Sequence, residues 1–132
     1  MKFSIDKQDR YSVIAPQEEN LNSAVAPQLK SEFVILANEG INNLVLDLSD
    51  VKYVDSSGLS AILTARRLWS NLGSFVVTGV QHDAVRRLVE ISKVDSVLTI
   101  LPTRSEAVDY IFMEELQRDL AGGSDGEDDT EE

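Results

Sequence analysis

Asp55-Ser56-Ser57-Gly58-Leu59 holds the residues of this chain best placed to do chemistry. Two adjacent hydroxyls follow a carboxylate, and the apolar pattern of a helix begins directly after them. Ser56 and Ser57 are good N-cap residues, and a helix start presents backbone N–H groups with no intrahelical partner. At the positive end of the helix dipole such a serine can cap the helix, bind an anion or carry a phosphate. A phosphate would add roughly −1.5 to −2 charges at neutral pH, and the helix mouth would tolerate it with little refolding. Beside an apolar docking patch it would oppose a partner that needs a neutral surface, and Asp50 and Asp55 would add to the repulsion. On spacing alone, two serines that merely cap a helix are the commoner explanation.

Other chemistries fit less well. A catalytic serine needs a base in hydrogen-bond reach and a group that orients the base. The single histidine, His82, falls in a loop after the following strand, and no glycine precedes the serines to form a G-x-S-x-G elbow. Neither G-x-x-x-x-G-K-[ST] nor G-x-G-x-x-G occurs, so no strong phosphate cradle for a nucleotide is present. Asp47, Asp50 and Asp55 surround one loop and could hold a divalent cation. Acids at such positions more often cap turns and helix starts, and that is the expectation here.

These residues need a strand to deliver them and a helix to carry them. Leu44 to Leu48 is a short, almost unbroken apolar run, the pattern of a central strand covered on both faces. After Ser57, residues Ala61, Ile62, Ala65, Leu68, Trp69 and Leu72 share one broad helical arc and form the expected core face. Leu59, Leu63 and Arg66 lie on a third arc. They are either the rim of the core or an exposed apolar patch beside the serines, and spacing leaves both open.

Upstream, Phe3 and Ile5 alternate with polar residues, as do Tyr11 and Val13, which predicts a hairpin turning at Gln8-Asp9. Pro16 to Asn22 reads as loop. A helix with Pro27 in its first turn buries Val25, Leu29, Phe33 and Leu36 and ends at Gly40. Downstream come a strand over Ser74 to Thr78, a helix capped by Asp83 with Ala84, Val85, Leu88, Val89 and Ile91, and a strand over Ser96 to Leu101. A last helix, capped by Thr103 or Ser105, buries Ala107, Val108, Ile111, Phe112 and Leu116. The order ββαβαβαβα implies an α/β fold, a single domain with a mixed, mainly parallel sheet of about five strands and four helices. Functional groups in such sheets gather at the carboxyl ends of the strands, where Asp55-Ser56-Ser57 falls.

With 132 residues there is room for one core. The domain is expected over residues 1–119, with a disordered acidic tail over 120–132. That tail holds six of the 23 acids behind a net charge of −11. Such a balance does not suit a phosphate backbone, so no nucleic-acid partner is expected. The chain has no cysteine, which excludes disulfides and thiolate metal sites. No apolar run reaches the length of a membrane span, and the N-terminus lacks a signal-peptide core, so membrane insertion is not expected and a cytoplasmic location is.

The stretch Leu44 to Leu63, with Asp55-Ser56-Ser57-Gly58-Leu59 unbroken, resembles the signature of STAS domains, above all the bacterial anti-sigma factor antagonists. The likeness extends from Met1 to about Leu116 and includes Val77-Thr78-Gly79-Val80, Val85-Arg86-Arg87-Leu88 and Glu106-Ala107-Val108. The resemblance implies a phosphorylatable partner switch with no cofactor and no enzyme activity of its own. Unphosphorylated, such an antagonist binds a serine kinase that doubles as an anti-sigma factor, and the sigma factor is released. The kinase inactivates it by phosphorylating the serine directly after the aspartate, here Ser56 before Ser57. A metal-dependent serine phosphatase restores it. Asp55, Ser57, Gly58, Leu59, Leu63 and Arg66, with loop residues Asn20, Leu21 and Asn22, become the implied partner contacts. Many relatives carry a Gly-x-Leu-Asp-like stretch before the first helix, and Glu19-Asn20-Leu21-Asn22 lacks both the glycine and the acid. The other reading of the resemblance is a non-switching STAS subunit or scaffold, as in a lipid-transport or signalling complex.

Overall fold

The structure, a computed structural model, describes residues 1–131, with side chains as far as Ala121. β1 (Phe3–Lys7) and β2 (Ser12–Pro16) form the expected antiparallel hairpin, in register from Phe3 opposite Pro16 to Lys7 opposite Ser12. The Gln8 N–H donates to the Tyr11 carbonyl at 2.8 Å and closes the turn. Pro16 to Asn22 is not all loop. Asn20–Leu21 is a short strand, β3, which pairs in parallel with β5 (Tyr53–Val54) in a separate two-stranded sheet. Two residues are too few to show the alternation by which a strand is recognised.

α1 (Ala26–Asn38) carries Pro27 in its first turn, and Gly40 just past its end has the left-handed φ of +85°. β4 (Leu44–Asp47) lies at the centre of a five-stranded sheet ordered β1-β2-β4-β6-β7, where β6 is Phe75–Thr78 and β7 is Thr99–Leu101. β2, β4, β6 and β7 run parallel. The helices α2 (Ser56–Trp69), α3 (Asp83–Ser92) and α4 (Arg104–Glu131) complete the order read from the sequence.

The period-two alternation of the strands splits the core in two. Ile14, Leu44, Leu46 and Val77 point to one face and pack with α1, α2 and α3. There Phe33 of α1 meets Trp69 of α2 edge-on, with ring centroids 6.3 Å apart. Val13, Val45 and Val76 point to the other face, where Ala107 and Ile111 of α4 cover them.

Among the described residues α4 is the one helix packed on that second face, and only a narrow stripe of it touches the sheet. Phe112 and Leu116, expected inside, are therefore 44% and 51% exposed. Leu72 and Ile91, also expected inside, lie past the last turn of α2 and near the end of α3 and face solvent. His82 occupies the N-cap position of α3 and Asp83 is its first residue, one place from the expected cap. The strand expected from Ser96 starts at Thr99, because Val94–Ser96 forms a 3-10 turn that tucks Val94 and Leu98 into the core. α4 crosses the expected boundary after residue 119 as helix. The side chains expected to form the acidic tail, from Gly122 onward, lie outside the described residues. Among the described residues, no helix is long and apolar enough to cross a membrane.

Candidate functional site

The chain reaches the mouth of α2 by a braced path. Beyond β4 the Leu48 N–H donates to Thr78 O at 2.9 Å, and the Val51 N–H returns to Leu48 O at 2.9 Å to close a turn. The Lys52 and Tyr53 N–H groups both donate to Glu19 O, at 2.8 and 3.0 Å, and β5 then lies against β3. The Asp55 N–H donates to Leu21 O at 3.1 Å. Through this small sheet the loop residues Asn20 to Asn22 come to lie beside Asp55, although more than thirty positions separate them.

Asp55, not a serine, is the N-cap. Its backbone is extended (φ −98°, ψ −173°), and its Oδ1 accepts from the Gly58 N–H at 3.0 Å. A carboxylate caps as well as a hydroxyl, and the extended backbone ends one residue earlier than the serine pair suggests. Ser56 and Ser57 become the first two helical residues, and helix geometry leaves their own N–H groups without intrahelical acceptors. Ser56 is exposed and Ser57 half-buried. Gly58 is buried against Leu21, so closely that a Cβ there would run into the Leu21 carbonyl.

The remaining expected contacts separate into surface and support. Leu21 is fully buried and belongs to the core beneath α2, so its side chain offers nothing to a partner. Asn20 is exposed. Asn22 shapes the turn into α1, its Oδ1 accepting from the Ala24 N–H at 3.0 Å. Leu59 and Leu63 are half-buried and pack on the core, so their arc is the core's rim, with part of each side chain still at the surface. Arg66 is exposed, and its Nε donates to the Val97 carbonyl at 2.7 Å.

A shallow groove runs between the first turns of α1 and α2. Ser23, Lys30, Ser56, Ser57 and Ser60 line it, with Ala26 and Pro27 at its base. Ser23, Lys30 and Ser60 were not singled out from the sequence. Their signal is faint: it requires knowing that α1 and α2 lie side by side with their first turns together.

His82 lines a different depression, with Asp50, Lys52 and Glu19, and its Nε2 lies 3.2 Å from the Ser49 carbonyl. No contact joins it to the serines among the described residues. The three acids are not gathered either. Asp47 pairs with the Arg104 Nε at 2.6 Å and accepts from the Ser49 N–H at 3.0 Å, while Asp55 caps α2. Burial is the largest influence on Asp47 and opposes its charge, yet the bonds from Ser49 and Arg104 together outweigh it. Its carboxyl therefore titrates below the ordinary aspartate value of 3.8.

A mixed, mainly parallel sheet thus carries an Asp-capped, serine-bearing helix mouth at its carboxyl edge. The family model of the STAS domain matches residues 2–107, and this chain belongs to that family, on the side of the anti-sigma factor antagonists. BtrV of Bordetella bronchiseptica, a candidate anti-sigma factor antagonist, is 33% identical over 108 residues, 81% of this chain and 91% of its own. A candidate antagonist of Thermotoga neapolitana is 32% identical over 74 residues, 56% of this chain and 66% of the relative. In structure, the anti-sigma factor antagonist SpoIIAA in its unphosphorylated form aligns with a TM-score of 0.70 at 18% identity, over 83% of this chain and 96% of that one. SpoIIAA of Bacillus is also known in a phosphorylated form.

Proposed function

We propose that this anti-sigma factor antagonist is a partner switch whose lever is the charge on Ser56. Unmodified, the protein binds an anti-sigma factor that is also a serine kinase and so frees a sigma factor. The kinase transfers the γ-phosphoryl group of ATP to Ser56 Oγ. A P–O bond forms at the serine, the bond to the β-phosphate oxygen breaks, ADP leaves, and the hydroxyl proton passes to a base that the kinase supplies. A metal-dependent serine phosphatase reverses the modification with water. ATP and metal belong to these partners, and this chain supplies the acceptor rather than the catalysis.

The observation that carries this reading is the position of Ser56. It is exposed on the first turn of α2, directly after the Asp55 cap, so an enzyme can reach it and no cap is lost when it is modified. The fold neighbour SpoIIAA, known in both phosphorylation states, supports the same reading. Modification places roughly −1.5 to −2 charges beside the exposed Asn20 and Asp55, which we assign to the docking surface with Ser57, the half-buried Leu59 and Leu63, and the exposed Arg66 further along α2. Gly58 and Leu21 shape that surface from beneath.

Intact mass after incubation with the cognate kinase and ATP is the direct test. One phosphate is expected on the wild type and none on Ser56→Ala, while Ser56→Asp binds the kinase at least tenfold more weakly. A kinase that binds Ser56→Asp as tightly as wild type, or that leaves Ser56 unmodified, sinks the proposal in favour of a passive docking module.

A further inference from the structure

The α1–α2 groove has an unusual composition for so acidic a protein. Among the described residues no Asp or Glu lines it. Four serines do, together with a single cation, Lys30. Lys30 lies one turn into α1 on the same ridge as Ala26 and Pro27, at the i+4 and i+3 positions that share a helix face. That ridge faces Ser56, Ser57 and Ser60 of α2, and the small side chains let the two helices approach closely. Lys30 is half-buried, and among the described residues it forms no ion pair, unlike Lys7 and Lys52, which pair with Glu39 and Glu19. A partly buried lysine with no anion partner among the described residues, in the groove that holds the acceptor serine, is complementary to the modified state rather than to the unmodified one.

We propose that Lys30 is the counter-charge of the phosphorylated protein, pairing with the phosphoryl group on Ser56 and drawing it into the groove. The inference rests on Ser56 being the modified residue and adds what happens to the phosphate afterwards. The unmodified groove presents a single positive charge from Lys30. With the phosphate held beside it, the same groove is closed and carries about −1 net. The Asp55 carboxylate opposes the phosphate from the mouth of α2, and Lys30 is the charged side chain facing it from α1. The phosphate is therefore pulled across the groove, away from Asp55. Refusal of the kinase then comes from a filled groove as well as from repulsion.

The test needs no kinase. Phosphoserine is placed at position 56 during translation of the full chain, and its second ionisation is followed by phosphorus NMR against pH. Free phosphoserine titrates near 6. The midpoint in the phosphorylated wild type is expected about half a unit or more below the value in Lys30→Gln, because a neighbouring cation favours the dianion. Lys30→Arg should keep the lowered midpoint, which guards against a fold defect specific to the glutamine variant. Equal midpoints in wild type and Lys30→Gln overturn the inference. The proposed function fails differently, through a kinase that adds no phosphate to Ser56, so the two failures are told apart.

Discussion

Asp47 is the described residue whose environment most clearly sets a pH dependence. It sits at the end of the central strand, nearly buried, with Ser49 and Arg104 as partners. Its folded carboxyl titrates below the ordinary 3.8 of the unfolded chain. A depressed folded value means the stabilisation is complete above the unfolded value and is lost as pH falls through the folded one. Wild-type melting temperature should therefore fall as pH drops below about 4, and the fall should be shallower in Asp47→Asn, read by thermal melts between pH 7 and pH 2.5. Parallel curves for the two proteins would show that Asp47 contributes nothing to the acid limb. The sequence identifies this aspartate as the one acid in an apolar strand. It does not identify Arg104 as its partner, because that pairing depends on where the last helix starts relative to the central strand. Acids that look like one cluster along the chain are in fact spent separately, on an ion pair and on a helix cap.

At the scale of elements, the serine-bearing helix keeps its capping and its proposed switching on different residues. Asp55 accepts from Gly58, and Ser56 is free of that duty. Asp55→Ala should cost about 1 kcal/mol of stability, typical for the loss of an N-cap, and lower the melting temperature by a few degrees. Ser56→Ala should leave it within about a degree, since alanine is the best helix former and no cap is removed. A loss in Ser56→Ala as large as in Asp55→Ala would return the cap to the serine. The helix itself was legible from the spacing of Ala61, Ile62, Ala65 and Trp69, all of which are buried. Its first residue was not, because Asp, Ser and Ser are all competent caps and only the backbone torsion at Asp55 chooses between them. The β3–β5 pair was illegible for another reason. Its strands have two residues each, yet they place Leu21 under Gly58 and bring the loop before α1 to the site.

Across the whole molecule, the second face of the sheet depends on α4, and α4 depends on Asn43. This buried side chain sits just ahead of the central strand and joins three distant parts of the chain. Its Nδ2 donates to the Arg10 carbonyl at 2.7 Å and to Glu115 at 2.8 Å, and its Oδ1 accepts from the Ser74 N–H at 2.9 Å and from Arg118 at 3.3 Å. No local pattern announces a network that spans residues 10 to 118, whereas the layer order it locks was plain from the alternation of strands and helices. The network also marks where the folded body ends. Arg118 is the last residue of α4 with a side-chain bond to the sheet among the described residues, and Leu120, two places on, is 62% exposed. We therefore propose residues 1–119 as the folding unit, and expect a chain cut after Leu120 to melt within about two degrees of the full chain. A cut after Glu114 removes both Glu115 and Arg118 and leaves Asn43 buried with half its bonds unmade. Each buried polar group left unsatisfied costs about 1–3 kcal/mol, so that shorter chain should melt at least ten degrees lower or fail to fold. Equal melting of the two truncated chains would show that Ala107 and Ile111 alone hold α4, and that the Asn43 network is incidental.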